Sequence, residues 1–169
     1  MDARDYLQQQ FASVRRLTDA VMQATTDEQL KWTPPGTVNS IGTTFVHLLA
    51  TEDRYVQDVL EGKPMLWEAQ GWSEKIGLEG PPGRGRGWED VRGAALALVP
   101  LLDYQRAIRA ATDDYVSSLT PEELERQVDF MDGKAPVALV LARLVVHTAG
   151  HTGEIAALKG AQGVKGLPF

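Results

Sequence analysis

The chain has 169 residues, 43% hydrophobic and 24% charged, with a formal net charge of -6; that suits one domain spanning residues 1–169 with a sizeable core. It has no cysteine, which excludes disulfides, thiolate metal sites and cysteine nucleophiles, and an acidic chain without a run of Lys and Arg points away from nucleic acid. No apolar run reaches membrane-span length, and Met1-Asp2-Ala3-Arg4-Asp5 is followed by no apolar signal stretch, so no membrane contact is expected and the predicted location is cytoplasmic.

In chain order, the spacing of Leu7, Phe11, Val14 and Val21, with Leu17 beside them, predicts a first helix from about Arg4 to Thr25, with Gln8, Gln9, Arg15, Arg16 and Asp19 on its outer side. Pro34, Pro35 and Gly36 break the chain, and Asn39 or Ser40 can cap a second helix from Ile41 to about Glu61, closed by Gly62 and Pro64. Residues Lys63 to Gly87 read as a long glycine-rich connection carrying Trp67 and Trp72. Its length argues against a hairpin and fits a crossover between helices pointing the same way.

A third helix is expected from Trp88 to Ser118, kinked or interrupted at Pro100, with Leu101, Tyr104, Ile108, Ala111 and Tyr115 on one face. Thr120-Pro121-Glu122-Glu123 combines an N-cap, a first-position proline and a glutamate three residues after the cap, which marks another helix start. It echoes Thr26-Asp27-Glu28-Gln29-Leu30; each lies between a long helix and a later histidine-bearing one. The fourth long helix is expected after Asp132-Gly133, with Pro136 in its first turn, and runs to about Gly160. No strand is expected anywhere. The reading is all-α, with four long helices.

The chain has three histidines, and all fall on predicted core-facing helices. His147 and His151 are four residues apart, about 40° around a helix, so both rings can reach one point beside it. His47 lies mid-helix among Phe45, Leu48 and Leu49. Metals in bundles are held by inward side chains from facing helices, and imidazole nitrogen suits zinc, nickel, copper or iron. The same spacing occurs on many helices that bind nothing, and a lone His47 reads as a satisfied core residue. Joint placement is what favours a three-histidine site. Glu154, three residues after His151, can be a fourth ligand, an acceptor for an imidazole N–H, a general base or a solvated side chain; spacing alone leans to the last. Glu52, five beyond His47, reads as a salt-bridge or cap residue. Gly83-Arg84-Gly85-Arg86-Gly87 resembles a phosphate loop only in part, because Trp88 stands at its last glycine position and no strand precedes it.

The stretch Asn39-Ser40-Ile41-Gly42-Thr43-Thr44-Phe45-Val46-His47-Leu48, followed by Thr51-Glu52-Asp53-Arg54, resembles the second helix of DinB-like (YfiT-like) proteins, which typically opens with Ser-Ile and carries the first metal histidine. His147-Thr148-Ala149-Gly150-His151-Thr152-Gly153-Glu154-Ile155 resembles the family's His-x-x-x-His helix, and Leu158-Lys159-Gly160 through Gly163 to Pro168-Phe169 resembles its tail. The resemblance implies an up-down-down-up four-helix bundle with a long crossover between helices two and three, often a homodimer. It implies one divalent metal on His47, His147 and His151, nickel or zinc first and iron or manganese next, with water or substrate completing the shell. The connection Lys63 to Gly87 departs most from the pattern.

The resemblance also implies a metal-dependent enzyme, either a thiol-dependent S-transferase using a thiol cofactor such as mycothiol or bacillithiol, or a hydrolase-like protein acting on a small molecule. The competing expectation is a non-catalytic, stress-associated protein whose metal ties helix two to helix four. Fold alone does not decide between them.

Overall fold

The computed structural model describes residues 1–82 and 88–169; the Gly83 to Gly87 segment singled out above lies outside the described residues. Helix α1 spans Ala3–Met22 and opens on Asp2, whose carboxylate accepts from Asp5 N at 2.8 Å. The short α2, Asp27–Lys31, is held by a reciprocal capping box between Thr26 and Gln29. Ser40, not Asn39, caps α3, Ile41–Asp53, by accepting from Thr43 N at 3.2 Å. The helix widens into a π-helical stretch, Arg54–Leu60, and ends where Gly62 adopts a left-handed φ of 65°.

The crossover is less irregular than expected. It contains α4, Leu66–Ala69, and α5, Trp72–Ile76. Trp67 and Trp72 are buried against Tyr104, with ring centroids 5.4 and 5.2 Å away.

The third helix differs from its expected form. It is two helices, α6, Trp88–Arg92, and α7, Leu98–Ser117, separated at Gly93 to Ala97. Pro100 causes no kink, because it lies in the first turn of α7, where a missing N–H removes no helical bond. Asp27 supplies a partner there by accepting from Leu98 N at 2.8 Å. Helix α8, Pro121–Glu125, starts on Thr120 as expected.

The expectation of no strands is also overturned. β1, Gln127–Phe130, and β2, Gly133–Pro136, pair antiparallel with Val128 opposite Ala135. Four residues are too few to show an alternating pattern, and the Asp132-Gly133 pair that reads as a helix start belongs to the hairpin; Met131 takes a positive φ of 53° beside it. Pro136 is the residue before α9, Val137–Ala161.

The four long helices form an up-down-down-up bundle, whose directions follow from the bonds between them. Thr18 shares a hydrogen bond of 2.8 Å with Thr152, and Lys159 donates to Val21 O at 2.6 Å, so α1 and α9 run parallel. Arg15 pairs with Asp113 and Arg109 with Asp19, so α1 and α7 are antiparallel. Tyr55, just past α3, meets Phe130, in the hairpin before α9, edge to face, and Gln162 at the far end of α9 reaches Gln29 O, so α3 and α9 are antiparallel. Phe45, Leu48, Leu49, Leu141, Leu144 and Ile155 are almost wholly buried between them. No helix among the described residues is long and apolar enough to cross a membrane.

Two buried acids tie these helices together. Glu52 accepts from Arg15 and Thr112, each at 2.9 Å, which is the salt-bridge role expected of it. Asp53 accepts from Leu66 N and Trp67 N at 2.9 Å and from the Tyr104 hydroxyl at 2.6 Å. Burial pushes the Asp53 carboxyl above its ordinary range, and those three bonds pull it back only in part. Asp53→Ala leaves three buried donors without an acceptor, and is expected to lower the unfolding free energy by about 2–4 kcal/mol in urea titrations.

Candidate metal centre

His47 projects from the middle of α3, and His147 and His151 from consecutive turns of α9. Because α3 and α9 are antiparallel and packed by the apolar residues on either side, the three rings meet at one level of the groove between them. Ring centroids are 5.1 Å apart for His47 and His147, 5.0 Å for His47 and His151, and 4.4 Å for His147 and His151. One nitrogen from each ring lies within 4.8 Å of the others, and all three side chains are half-buried rather than sunk in the core.

The hydrogen bonds define which nitrogens face inward. His47 Nδ1 lies 3.3 Å from Pro82 O, a carbonyl that only accepts, so Nδ1 carries the proton and Nε2 keeps its lone pair. His151 Nδ1 donates to Glu154 Oε2 at 2.8 Å, which leaves its Nε2 bare. His47 Nε2 faces His147 Nε2 at 3.2 Å. Two nitrogens bound to one tetrahedral zinc are separated by roughly 3.3 Å, so this spacing fits a shared ion. His147 Nδ1 is buried and has no hydrogen-bond partner among the described residues. An ion held at Nε2 would leave the ring proton on Nδ1, so this buried atom is a donor that a water molecule, not the ion, would meet.

Electrostatics agree with the donor set. Burial lowers the pKa of both His47 and His147, the latter to about 3, with the neighbouring histidines and then Arg143 and Arg54 adding to the effect. Both rings are therefore neutral, the state a metal requires. The bond from His151 is the main cause holding the Glu154 carboxyl below its ordinary range. Three imidazoles, two of them oriented by a carbonyl and a carboxylate, can chelate a divalent ion.

All three candidate histidines are brought together. Glu154 is an acceptor for His151, the orienting option among those its spacing left open. Glu52 faces away into the bundle. Sequence reasoning missed Pro82, whose contribution is a backbone carbonyl and so has no side-chain signature. Trp88, at the start of α6, has its ring 4.6 Å from that of His47 at 53°.

Residues 10–155 match the DinB superfamily. Among solved structures, a conserved protein from Enterococcus faecalis superposes with a TM-score of 0.81 at 18% identity, covering 94% of this chain and 96% of that one. A DinB-like protein from Bacillus cereus superposes at 0.63 with 19% identity, covering 95% and 93%. A DinB-like protein from Bacillus subtilis does so at 0.64 with 18% identity, covering 97% and 96%. At such identities these likenesses speak for the fold alone. No curated protein matches the chain.

The lowered histidine pKa values carry a pH dependence. Folding keeps His47 and His147 neutral below the ordinary value of 6.5, while the unfolded chain takes up protons there, so the metal-free protein loses stability as pH falls below 6.5. Chemical denaturation of metal-free protein between pH 6.5 and about 5, above most carboxylate titrations, is expected to show this slope, and His147→Gln is expected to flatten it.

Proposed function

This chain belongs to the DinB superfamily, and on that footing we propose that it is a metal-dependent enzyme holding one divalent ion through His47, His147 and His151. The observation that carries the reading is the convergence of three half-buried imidazoles, two with the outer nitrogen already tied, so that their free lone pairs point to one place. Nickel or zinc suits three imidazoles best, with iron or manganese behind them. When bound, such an ion supplies Lewis acidity that lowers the pKa of a water or thiol at its open positions.

The chain's own residues do the rest. Glu154 fixes the ring of His151, the Pro82 carbonyl fixes that of His47, and the Trp88 ring covers one side of His47. Three protein ligands leave coordination open, the pattern of catalytic rather than structural sites. That openness suits thiol-dependent S-transfer or a hydrolase-like reaction. A purely structural ion is disfavoured because α3 and α9 already share a buried apolar seam that holds them together. The outer face of α9, with Leu139 and Val146 exposed beside Ala142, Ala149 and Gly153, favours self-association as a homodimer.

Protein purified without an affinity tag is expected to carry about one metal per chain by elemental analysis, and His47→Ala, His147→Ala protein none. Loaded protein is then screened with thiol cofactors and electrophiles, and with esters and amides, beside His151→Ala. Indistinguishable rates would overturn catalysis, and a sharp fall in melting temperature on chelation without any turnover would favour the structural ion instead. Sedimentation is expected to give twice the chain mass.

A further inference from the structure

The charges around the histidine centre are of an unexpected sign. The chain is acidic overall, with 23 Asp and Glu against 17 Lys and Arg, yet two arginines border the place where a cation would sit. Arg54 follows His47 by seven residues, two helical turns, and so lies on the same face of α3 about 10 Å along the axis. Arg143 precedes His147 by four residues, one turn, about 6 Å back along α9. Because α3 and α9 are antiparallel, both arginines lie at the same end of the centre. Glu154, the carboxylate paired with His151, lies beyond the histidines at the other end.

Neither arginine has an ion pair among the described residues. The Arg54 guanidinium rests over the Tyr55 ring at 5.3 Å, and Arg143 is exposed. Several other arginines have carboxylate partners: Arg15 has Glu52 and Asp113, Arg109 has Asp19, and Arg126 has Glu123, while Arg16 and Arg92 donate to neutral oxygens away from the centre. Two cations with no ion pair among the described residues, set beside a cation site, weaken the hold on the ion, so their placement calls for an anion that comes and goes. Guanidinium is the side chain suited to gripping carboxylate, sulfonate or phosphate oxygens.

Building on the metal reading above, we propose that Arg54 and Arg143 form an oxyanion subsite at one end of the histidine centre. The small molecule presented there then carries an oxyanion about one side-chain length from the atom that meets the ion. Such a molecule is anchored at two points, which orients its reacting atom before any chemistry begins.

The test uses cobalt(II)-loaded full-length protein and three probes with a two-carbon spacer: 2-mercaptoethanol, 3-mercaptopropionate and 2-mercaptoethanesulfonate. Sulfur-to-cobalt absorption reads the binding of each to wild type and to Arg54→Gln, Arg143→Gln protein. Comparing each preference between the two proteins cancels differences in thiol basicity. The preference for at least one anionic probe over 2-mercaptoethanol is expected to drop by about tenfold in the variant, the scale of one charge-assisted contact. Which probe loses more identifies the planar or the tetrahedral oxyanion as the better fit. Cobalt affinity in the variant is expected to be equal or higher, because two like charges are gone. An unchanged preference for both probes overturns the subsite, and so does weaker cobalt binding in a variant whose melting temperature is unaltered. A wild type that takes up no cobalt overturns the metal reading itself, and the subsite with it.

Discussion

The antiparallel register of α3 against α9 is the constraint on which the centre depends. A shift of one residue along either helix turns a side chain by about 100°, which would carry His47 out of reach of His147. The register is set above and below the histidines by different means. On one side Tyr55 meets Phe130 edge to face and Arg126 donates to Leu60 O, linking the π-helical stretch to the hairpin that leads into α9. On the other side Gln162 reaches Gln29 O, and Ile41 and Phe45 are fully buried. The histidines sit between two clamped ends, so their separation is inherited from packing rather than created by an ion.

The crossover is the second contributor. Asp53, the last residue of α3, receives the first backbone N–H groups of the crossover's helical part and the hydroxyl of Tyr104 on α7. One buried carboxylate thus fixes where the crossover leaves α3 and how it lies on α7. Further along, the crossover returns to α3 at Pro82, which accepts from His47. The connection spans the bundle and also decides which nitrogen of a site histidine is free.

The long helices are legible in the sequence because their apolar residues recur at helical spacing, and Ser40 marks the start of α3 with a cap. The three histidines are legible because they are the only ones and share the core-facing helices. The hairpin is not, since Gln127–Phe130 and Gly133–Pro136 are too short for a period to show and their turn mimics a helix start. Pro100 misleads because a proline's effect depends on its distance from a helix start, and that start is set by Asp27 reaching over from α2. The role of Glu154 lies in a rotamer, which spacing permits but does not choose. Pro82 acts through a carbonyl that every residue has, so nothing in its identity announces it.

The π-helical stretch Arg54–Leu60 has a consequence for how such a chain can change length. A π-turn holds one residue more than an α-turn and commonly enters a helix as a local bulge. Here it begins at Arg54, after His47, and ends before the left-handed Gly62, so the bulge absorbs a residue without rotating the histidine. A deletion or insertion of one position in this stretch would therefore keep the histidine face intact. An alignment that forces residues 54–60 into an unbroken α-helical count would place its gap in the wrong helix.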